Sequence, residues 1–278
     1  MLKVISLLSI AFLLNFSHLK LFMLKYSQER KGAFGVKIGI PRGLTYYTYY
    51  PFWHAFFTEL GVEIVLSDKT TKQIVSEGSG LVVTETCLPV KVYVGHVLNL
   101  LDKGLDIIYC PSIQSIEPKI YNCSKIRGLP DLIRNVIKRN YLLIEPTFDM
   151  SEKGQTFDDC LYQSVIPLGI KDKKKVKKAA LLGALSGKVA EDCFKVIDAI
   201  TAENYKTKVM ADMLKAVNAG KKALVVFAEK NEKAVASCRN IPGVTVAYTN
   251  TLNVYDILNC DTVVIEKAAT EKITEVYA

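Results

Sequence analysis

Short apolar runs alternate with longer segments of helical periodicity from Val36 onward, and this alternation predicts strands and helices in turn. The first run, Val36–Ile40, is followed by Pro41 and Gly43 and then by an aromatic-rich helical segment that Gly61 closes. Further strands are predicted at 63–66, 81–84, 106–109 and 142–144, with helices at 46–60, 70–76 and 92–101. This order predicts a mostly parallel sheet with helices on both faces, whose ligands bind at the carboxyl ends of the strands.

The same alternation restarts after residue 171. Strands are predicted at 195–197, 223–227, 244–247 and 262–265, and helices at 206–217, 231–238, 254–258 and 267–277. About 100 residues with four strands are enough to bury a second core. The predicted fold class is therefore α/β, with two consecutive three-layer α/β units and mostly parallel sheets. The predicted organisation is a leader at 1–35, a first unit at 36–170 and a second unit at 171–278.

The boundary between the two units is a lysine run, Lys171–Lys178, with six lysines in eight residues. Val176, Ala180 and Leu181 recur at helical spacing, which predicts the solvated start of a helix. A segment that contacts phosphates is a second interpretation, compatible with the first. No linker rich in proline, glycine or serine separates the units, so the run is the only plausible boundary.

Composition narrows the class of protein without identifying it. A hydrophobic content of 50% with 23% charged residues excludes disorder over most of the chain. The net charge of +8 favours an anionic partner, which nucleic acid, anionic lipid or an acidic cofactor would equally satisfy. Seven cysteines without a CxxC pair argue against a secreted disulfide framework and favour a reducing, cytoplasmic setting.

The segment from Val4 to Leu24 is mostly apolar, but His18 and Lys20 interrupt it before a membrane span accumulates. No convincing cleavage site follows it. One interpretation is a signal peptide or membrane anchor, in which case the membrane would be a partner. The other is a start codon assigned too early, with the folded protein beginning near Met23 or at Val36.

Three cysteines of the first unit are predicted to lie at one edge of its sheet. Cys87 and Cys110 follow predicted strands, and Cys123 lies in a loop. Thiolates at such positions, next to helix N-termini, suit a soft metal or an iron–sulfur cluster. The alternative is that they are buried structural thiols. His54 and His96 are open to a structural or a functional role in the same way.

Six segments of the first unit, within about residues 36–170, carry a resemblance, namely Lys37–Arg42, Tyr50–Trp53, Cys87–Lys91, Gly95-His96, Cys123–Lys125 and Gly128–Asp131. In these segments the unit resembles the acyl-CoA dehydratase activase-related family, which is akin to the subunits of 2-hydroxyglutaryl-CoA dehydratase. The resemblance implies a [4Fe–4S] cluster with Cys87 and Cys123 at the matching positions, whereas Cys110 matches no family ligand. Ser124 stands where a proline is more usual. Two matched thiolates do not complete a four-cysteine site, so Cys110 or a dehydratase partner subunit would have to contribute.

The second unit offers no catalytic constellation. No histidine follows His96, and no glycine-rich phosphate loop is present. Cys193, Cys238 and Cys260 lack the spacing of metal ligands and are most simply core or boundary residues. Arg239 could form a surface salt bridge or contact a phosphate.

Six segments of this second unit carry another resemblance, namely Ala180–Lys188, Gly220–Val226, Ser237–Val244, Leu252–Leu258, Val264–Ala269 and Glu275–Ala278. From about Lys177 to the last residue, the unit resembles the C-terminal half of the bacterial large-subunit ribosomal protein L-four family. The resemblance implies binding to large-subunit ribosomal RNA among ribosomal proteins, without a cofactor. The family's N-terminal strands and long basic loop are absent. The predicted RNA contacts that remain are Lys174, Lys175, Lys177, Lys178, Lys188, Arg239 and Asn240, which would hold phosphates without reading sequence.

Three functional hypotheses follow. The leading one is a cytoplasmic structural constituent of the large ribosomal subunit that binds ribosomal RNA through the second unit. The alternative is an iron–sulfur-dependent acyl-CoA dehydratase component or activator, which would act with a partner subunit. A third is a non-functional composite of two gene fragments. No catalytic residue is predicted, and whether the chain is an enzyme stays open.

Overall fold

The computed structural model describes residues 35–202 and 204–277, so the apolar segment 4–24 lies outside the described residues. The strands are β1 (Lys37–Ile40), β2 (Glu63–Leu66), β3 (Ile107–Tyr109), β4 (Ser112–Glu117), β5 (Ile120–Tyr121), β6 (Leu142–Ile144), β7 (Thr147–Asp149), β8 (Phe194–Ile197), β9 (Ala223–Phe227), β10 (Val244–Tyr248) and β11 (Thr262–Glu266). The α-helices are α1 (Tyr46–Glu59), α2 (Lys72–Leu81), α3 (Leu88–Asp102), α4 (Ser124–Arg127), α5 (Leu129–Val136), α6 (Phe157–Val165), α7 (Lys173–Ala190), α8 (Thr207–Ala216), α9 (Glu232–Arg239), α10 (Val254–Asn259) and α11 (Lys267–Tyr277).

Two parallel four-stranded sheets confirm the predicted α/β class. The first has the order β2-β1-β3-β6 and the second has the order β10-β9-β11-β8. A third sheet, β5-β4-β7, combines an antiparallel and a parallel pair. The sequence pattern did not predict this small sheet, because two of its strands have only two or three residues and show little alternation.

The predicted strand at 81–84 is wrong. Leu81 ends α2, and the following residues up to Cys87 form a turn rather than a strand. The reason is the contact between α2 and α3, where a Cβ on Gly78 would lie 2.0 Å from the Lys91 carbonyl oxygen and one on Gly95 would lie 1.9 Å from that of Ile74. Glycines at this crossing bring the two backbones into contact, and packing of the helix pair outweighs the low helix propensity of glycine.

A layer of helices lies between the two parallel sheets. One hydrophobic cluster runs from Ile38 of the first sheet through Phe56 of α1 and Leu185 of α7 to Val226 of the second sheet. The outer face of the first sheet packs on α3 and α5, and the outer face of the second packs on α8 and α9. The two units therefore share a core along α1 and α7, rather than each enclosing a separate one.

The lysine run forms the start of α7, as predicted. Asp172 caps the helix, since its carboxylate accepts hydrogen bonds from the backbone N–H groups of Lys174 at 2.9 Å and Lys175 at 3.2 Å. The buried stripe of the helix begins at Val176 and extends to Val189. Gly183 marks the closest approach to α1, because a Cβ there would lie 3.2 Å from the backbone nitrogen of Phe56. One helix thus carries both the exposed lysines and the contact that joins the units.

A polar contact also crosses the predicted boundary. The Lys222 ammonium lies 2.8 Å from Oε1 of Glu117 in β4 and 3.1 Å from Oδ1 of Asn259. Because the ion pair is half-exposed, it contributes little to the free energy of unfolding and mainly orients the two side chains. Within residues 35–202 and 204–277, no helix combines the length and apolarity needed to cross a membrane.

Candidate functional site

The lysines predicted to contact RNA lie on the first two turns of α7. Lys174, Lys175 and Lys177 are exposed and Lys178 is half-buried. The Lys177 ammonium lies 3.3 Å from Oδ2 of Asp158, and the neighbouring Lys173 ammonium lies 4.9 Å from the centre of the Tyr162 ring. Even with Asp172 and Asp158 beside it, the run keeps an excess of positive charge. Since it also lies at the positive end of the helix dipole, this surface favours anions.

The other predicted RNA contacts lie elsewhere. The Lys188 ammonium donates a hydrogen bond of 2.6 Å to the carbonyl oxygen of Cys260, which commits it to a structural role between α7 and the loop before β11. Arg239 and Asn240 are exposed at the end of α9, where the Asn240 amide donates to Thr207 Oγ1 at 3.2 Å. Because α7 and α9 pack on opposite faces of the second sheet, the structure does not gather all seven residues into one patch.

The three cysteines predicted as cluster ligands occupy different environments. Cys87 precedes α3 and Cys123 precedes α4, and both are exposed, whereas Cys110 follows β3 and is fully buried. Burial raises the pKa of the Cys110 thiol to about 12, although a hydrogen bond with Tyr93 opposes this. Without a metal beside it, a thiol in that environment is protonated near neutral pH.

Among the described residues, no group of three or more histidine, cysteine, aspartate or glutamate side chains is placed to hold a metal ion. A cluster held by this chain alone does not fit that arrangement. The exposed positions of Cys87 and Cys123 leave them accessible to ligation shared with another chain. Ligation by Cys87, Cys110 and Cys123 stays a prediction.

A polar cluster that the sequence interpretation missed lies at the carboxyl ends of β1 and β2. The Arg42 backbone N–H donates to Ser67 Oγ at 2.9 Å, and His96 Nε2 lies 3.0 Å from Thr70 Oγ1. Asp68 accepts hydrogen bonds from Lys103 at 2.8 Å and from Asn99 at 3.0 Å, which hold the pKa of its carboxyl below the usual value. The sequence feature that could have indicated this cluster is Arg42, which follows the buried strand β1 by two residues and precedes Gly43.

His96 is fully buried in this polar cluster. Burial, followed by the nearby positive charge of Arg42, lowers its pKa from 6.5 to about 4, against the opposing effect of Asp68. The imidazole is therefore neutral at pH 7, and one of its nitrogens is a donor while the other is an acceptor.

Comparison with known families places most of the chain in one of them. A family model described as the CoA enzyme activase uncharacterised domain matches residues 37–240, which extends past the lysine run to Asn240. The match includes the polar cluster, the three cysteines and α7. The boundary at 170/171 stays a prediction.

A second similarity covers a shorter part of the chain. The large ribosomal subunit protein uL4 of Alkaliphilus metalliredigens is 51% identical over 105 residues, which are 38% of this chain and 51% of that protein. The proteins of the same name from Ruminiclostridium cellulolyticum and Clostridium perfringens are 48% and 49% identical over the same length. The chain therefore spans about half the length of the curated relatives it matches.

Proposed function

We propose, from the premise that the chain belongs to the family of the CoA enzyme activase uncharacterised domain, that its second unit attaches it to the large ribosomal subunit. The attachment is a phosphate contact by the lysines that begin α7. The identity of about one half to uL4 proteins supports this assignment over part of the chain. Ribosomal RNA and ribosomal proteins are the partners that follow from it.

The exposed lysine cluster of α7 is the observation that carries the proposal. Val176, Ala179 and Ala180 are buried in the core, whereas Lys174, Lys175 and Lys177 of the same helix are exposed. Packing of α7 against α1 fixes the helix, and the cluster therefore presents its charge without an ordering cost for the backbone. Lys188 is not part of this surface because it is bonded to Cys260.

Co-sedimentation with large ribosomal subunits over a series of KCl concentrations tests the proposal. If three lysines contact phosphates, the logarithm of the binding constant should fall with the logarithm of salt with a slope of about −2 to −3. Replacing Lys174, Lys175 and Lys177 with alanine should weaken binding and reduce that slope by about one for each phosphate that is no longer neutralised.

A matched variant separates specific contact from net charge. Lys125, Lys138 and Lys208 are exposed lysines outside α7, and their replacement with alanine removes the same charge. This control should sediment with the subunits as the unchanged chain does. Equal loss of binding in both variants, or no binding of the unchanged chain at low salt, would refute the proposal.

A second candidate function is that of a component or activator of an iron–sulfur-dependent acyl-CoA dehydratase. The match of residues 37–240 to an activase-associated family and the exposure of Cys87 and Cys123 favour it. Since Cys87 and Cys123 supply only two thiolates of a four-ligand site, the remaining ligands would come from Cys110 or a partner subunit. Anaerobic purification with that partner, followed by iron and sulfide analysis and a visible spectrum, tests this function.

The variant for that experiment replaces Cys87 and Cys123 with serine, and the matched control replaces the half-buried Cys193. The candidate function expects iron in the unchanged chain and in the control, and its absence from the double variant. A colourless complex without iron would exclude it.

A further inference from the structure

The turn between β1 and α1, residues 41–45, lies where the chain changes the side of β1 on which it adds strands to the first sheet. In the order β2-β1-β3-β6, the chain leaves β1 toward β2 on one side and later returns to β3 on the other. The loops after β1 and β3 therefore diverge and leave a crevice at their carboxyl ends, where parallel α/β sheets bind ligands. The 14-residue helix α1 begins at this crevice, without a side-chain cap at Thr45 and without an acidic residue in its first turn.

Two buried polar atoms, one in this turn and one in the neighbouring helix α3, lack a hydrogen-bond partner. Only three side-chain nitrogen or oxygen atoms are both buried and without a hydrogen bond within the described ranges, namely Arg42 Nε, His96 Nδ1 and Gln155 Oε1. The first two belong to neighbouring segments, because a Cβ on Gly43 would lie 3.1 Å from the Tyr93 side chain, which precedes His96 by one turn of α3. An unpaired buried polar group is unfavourable, so two in neighbouring segments indicate that a partner from outside the chain completes them.

The charges around the turn select an anion. Asp68, the carboxylate that interacts with Arg42 and His96, is bonded to Lys103 and Asn99. The guanidinium carbon of Arg42 lies 5.9 Å from the centre of the Tyr46 ring, within the range of a cation–π contact. Arg42 therefore keeps its charge available for another group, beside the positive end of the α1 dipole.

The neutral state of His96 supplies a further donor. When the Thr70 hydroxyl donates to Nε2, the ring proton resides on Nδ1, which then donates in its turn. The ring is held in place because the neighbouring Gly95 is in backbone contact with α2.

We propose that the β1–α1 turn binds an oxyanion of a small molecule, a phosphate or a carboxylate. The guanidinium of Arg42 pairs with it, the N-terminus of α1 stabilises its charge, and His96 Nδ1 donates a hydrogen bond to it. This site is independent of the lysines of α7 and of the cysteines, so its outcome does not depend on the ribosomal proposal.

Calorimetric titration of the full chain with inorganic phosphate and, separately, with succinate tests the site and distinguishes its two sources. Saturable binding of either anion is expected. Arg42→Gln should weaken it at least about tenfold, because charge-assisted hydrogen bonds are removed, and Arg42→Lys should weaken it less. Arg139→Gln is the matched control, since Arg139 is an exposed arginine of the same unit that pairs with Asp102, and it should bind as the unchanged chain does.

A second readout reports on His96 directly. In a spectrum of ¹⁵N-labelled imidazole groups, saturation with the bound anion should shift the Nδ1 resonance of His96 and leave that of His54 unchanged. Absence of saturable binding of both anions, or unchanged affinity in Arg42→Gln with native circular dichroism, would overturn the proposal. An Nδ1 shift of the same size in Arg42→Gln, at the anion concentration that half-saturates the unchanged chain, would also overturn it.

Discussion

Replacement of Gly183 with leucine tests whether the two units form one cooperative structure. A Cβ at this position would lie 3.2 Å from the Phe56 backbone nitrogen and 3.5 Å from the Ala55 Cβ, and backbone atoms cannot rotate away as a side chain can. Overpacking of this kind costs about 1–3 kcal/mol, and the gain in helix propensity over glycine returns about 0.8 kcal/mol. A net destabilisation of about 0.2–2 kcal/mol is therefore expected.

Gly187 provides the matched control in the same helix. A Cβ there has no heavy atom within 4 Å, so Gly187→Leu gains helix propensity and places its first side-chain atom in open space. It should leave stability unchanged or raise it by less than about 1 kcal/mol.

Urea unfolding followed by Trp53 fluorescence is the assay. Trp53 is the only tryptophan of the sequence and is buried in α1, so it reports on the first unit although both substitutions lie in the second. With an m-value of about 3 kcal/mol/M, Gly183→Leu should lower the midpoint by about 0.1–0.7 M, and circular dichroism should give the same midpoint. An unchanged Trp53 transition in Gly183→Leu, or equal effects of the two substitutions, would refute the shared core.

Two further predictions follow from the titratable groups. At pH 8, iodoacetamide should modify the exposed Cys87 and Cys123 rapidly and Cys110 very slowly, as measured by mass spectrometry. The reason is that burial raises the pKa of Cys110 to about 12, so that about one Cys110 side chain in 10⁴ is a thiolate. Rapid modification of Cys110 in the folded chain would contradict its burial. The free energy of unfolding should fall as pH drops from 6.5 toward 4, because the unfolded state binds a proton at His96 that the folded state, with a pKa of about 4, rejects. The His96 contribution reaches at most about 3 kcal/mol, and His96→Gln should remove that part of the pH dependence measured by urea unfolding; the same slope in both chains would show that other groups cause it.

Much of the fold could be predicted from apolar periodicity. The buried strand β9 and the amphipathic helix α8 carry patterns that local sequence determines, and their bounds agree with the prediction within a residue or two. The prediction of a strand at 81–84 was wrong because Val82 and Val83 have high strand propensity, whereas the contact between Gly78 and Gly95 extends α2 to Leu81. Contacts between distant segments decide such cases, and a single sequence does not show them.

The candidate sites divide in the same way. The charge of the lysine run is visible in the sequence, and its helical start was predicted from Val176 and Ala180. The engagement of Lys188 by Cys260 depends on residues 72 positions apart, so sequence spacing offered no sign of it. Likewise, Arg42 and His96 lie close together only because β1 and α3 are neighbours in the fold, and the sequence showed each of them alone.

Ultraviolet crosslinking in cells, followed by sequencing of the RNA attached to the purified chain, tests whether the start of α7 binds ribosomal RNA. We expect crosslinks concentrated in large-subunit ribosomal RNA, with the attached peptide containing the lysines at the start of α7. Replacing Lys174, Lys175 and Lys177 with alanine should remove most of them, while the Lys125, Lys138 and Lys208 variant should retain them. Absence of ribosomal RNA from the crosslinked material, or crosslinks that the α7 variant leaves unchanged, would contradict it.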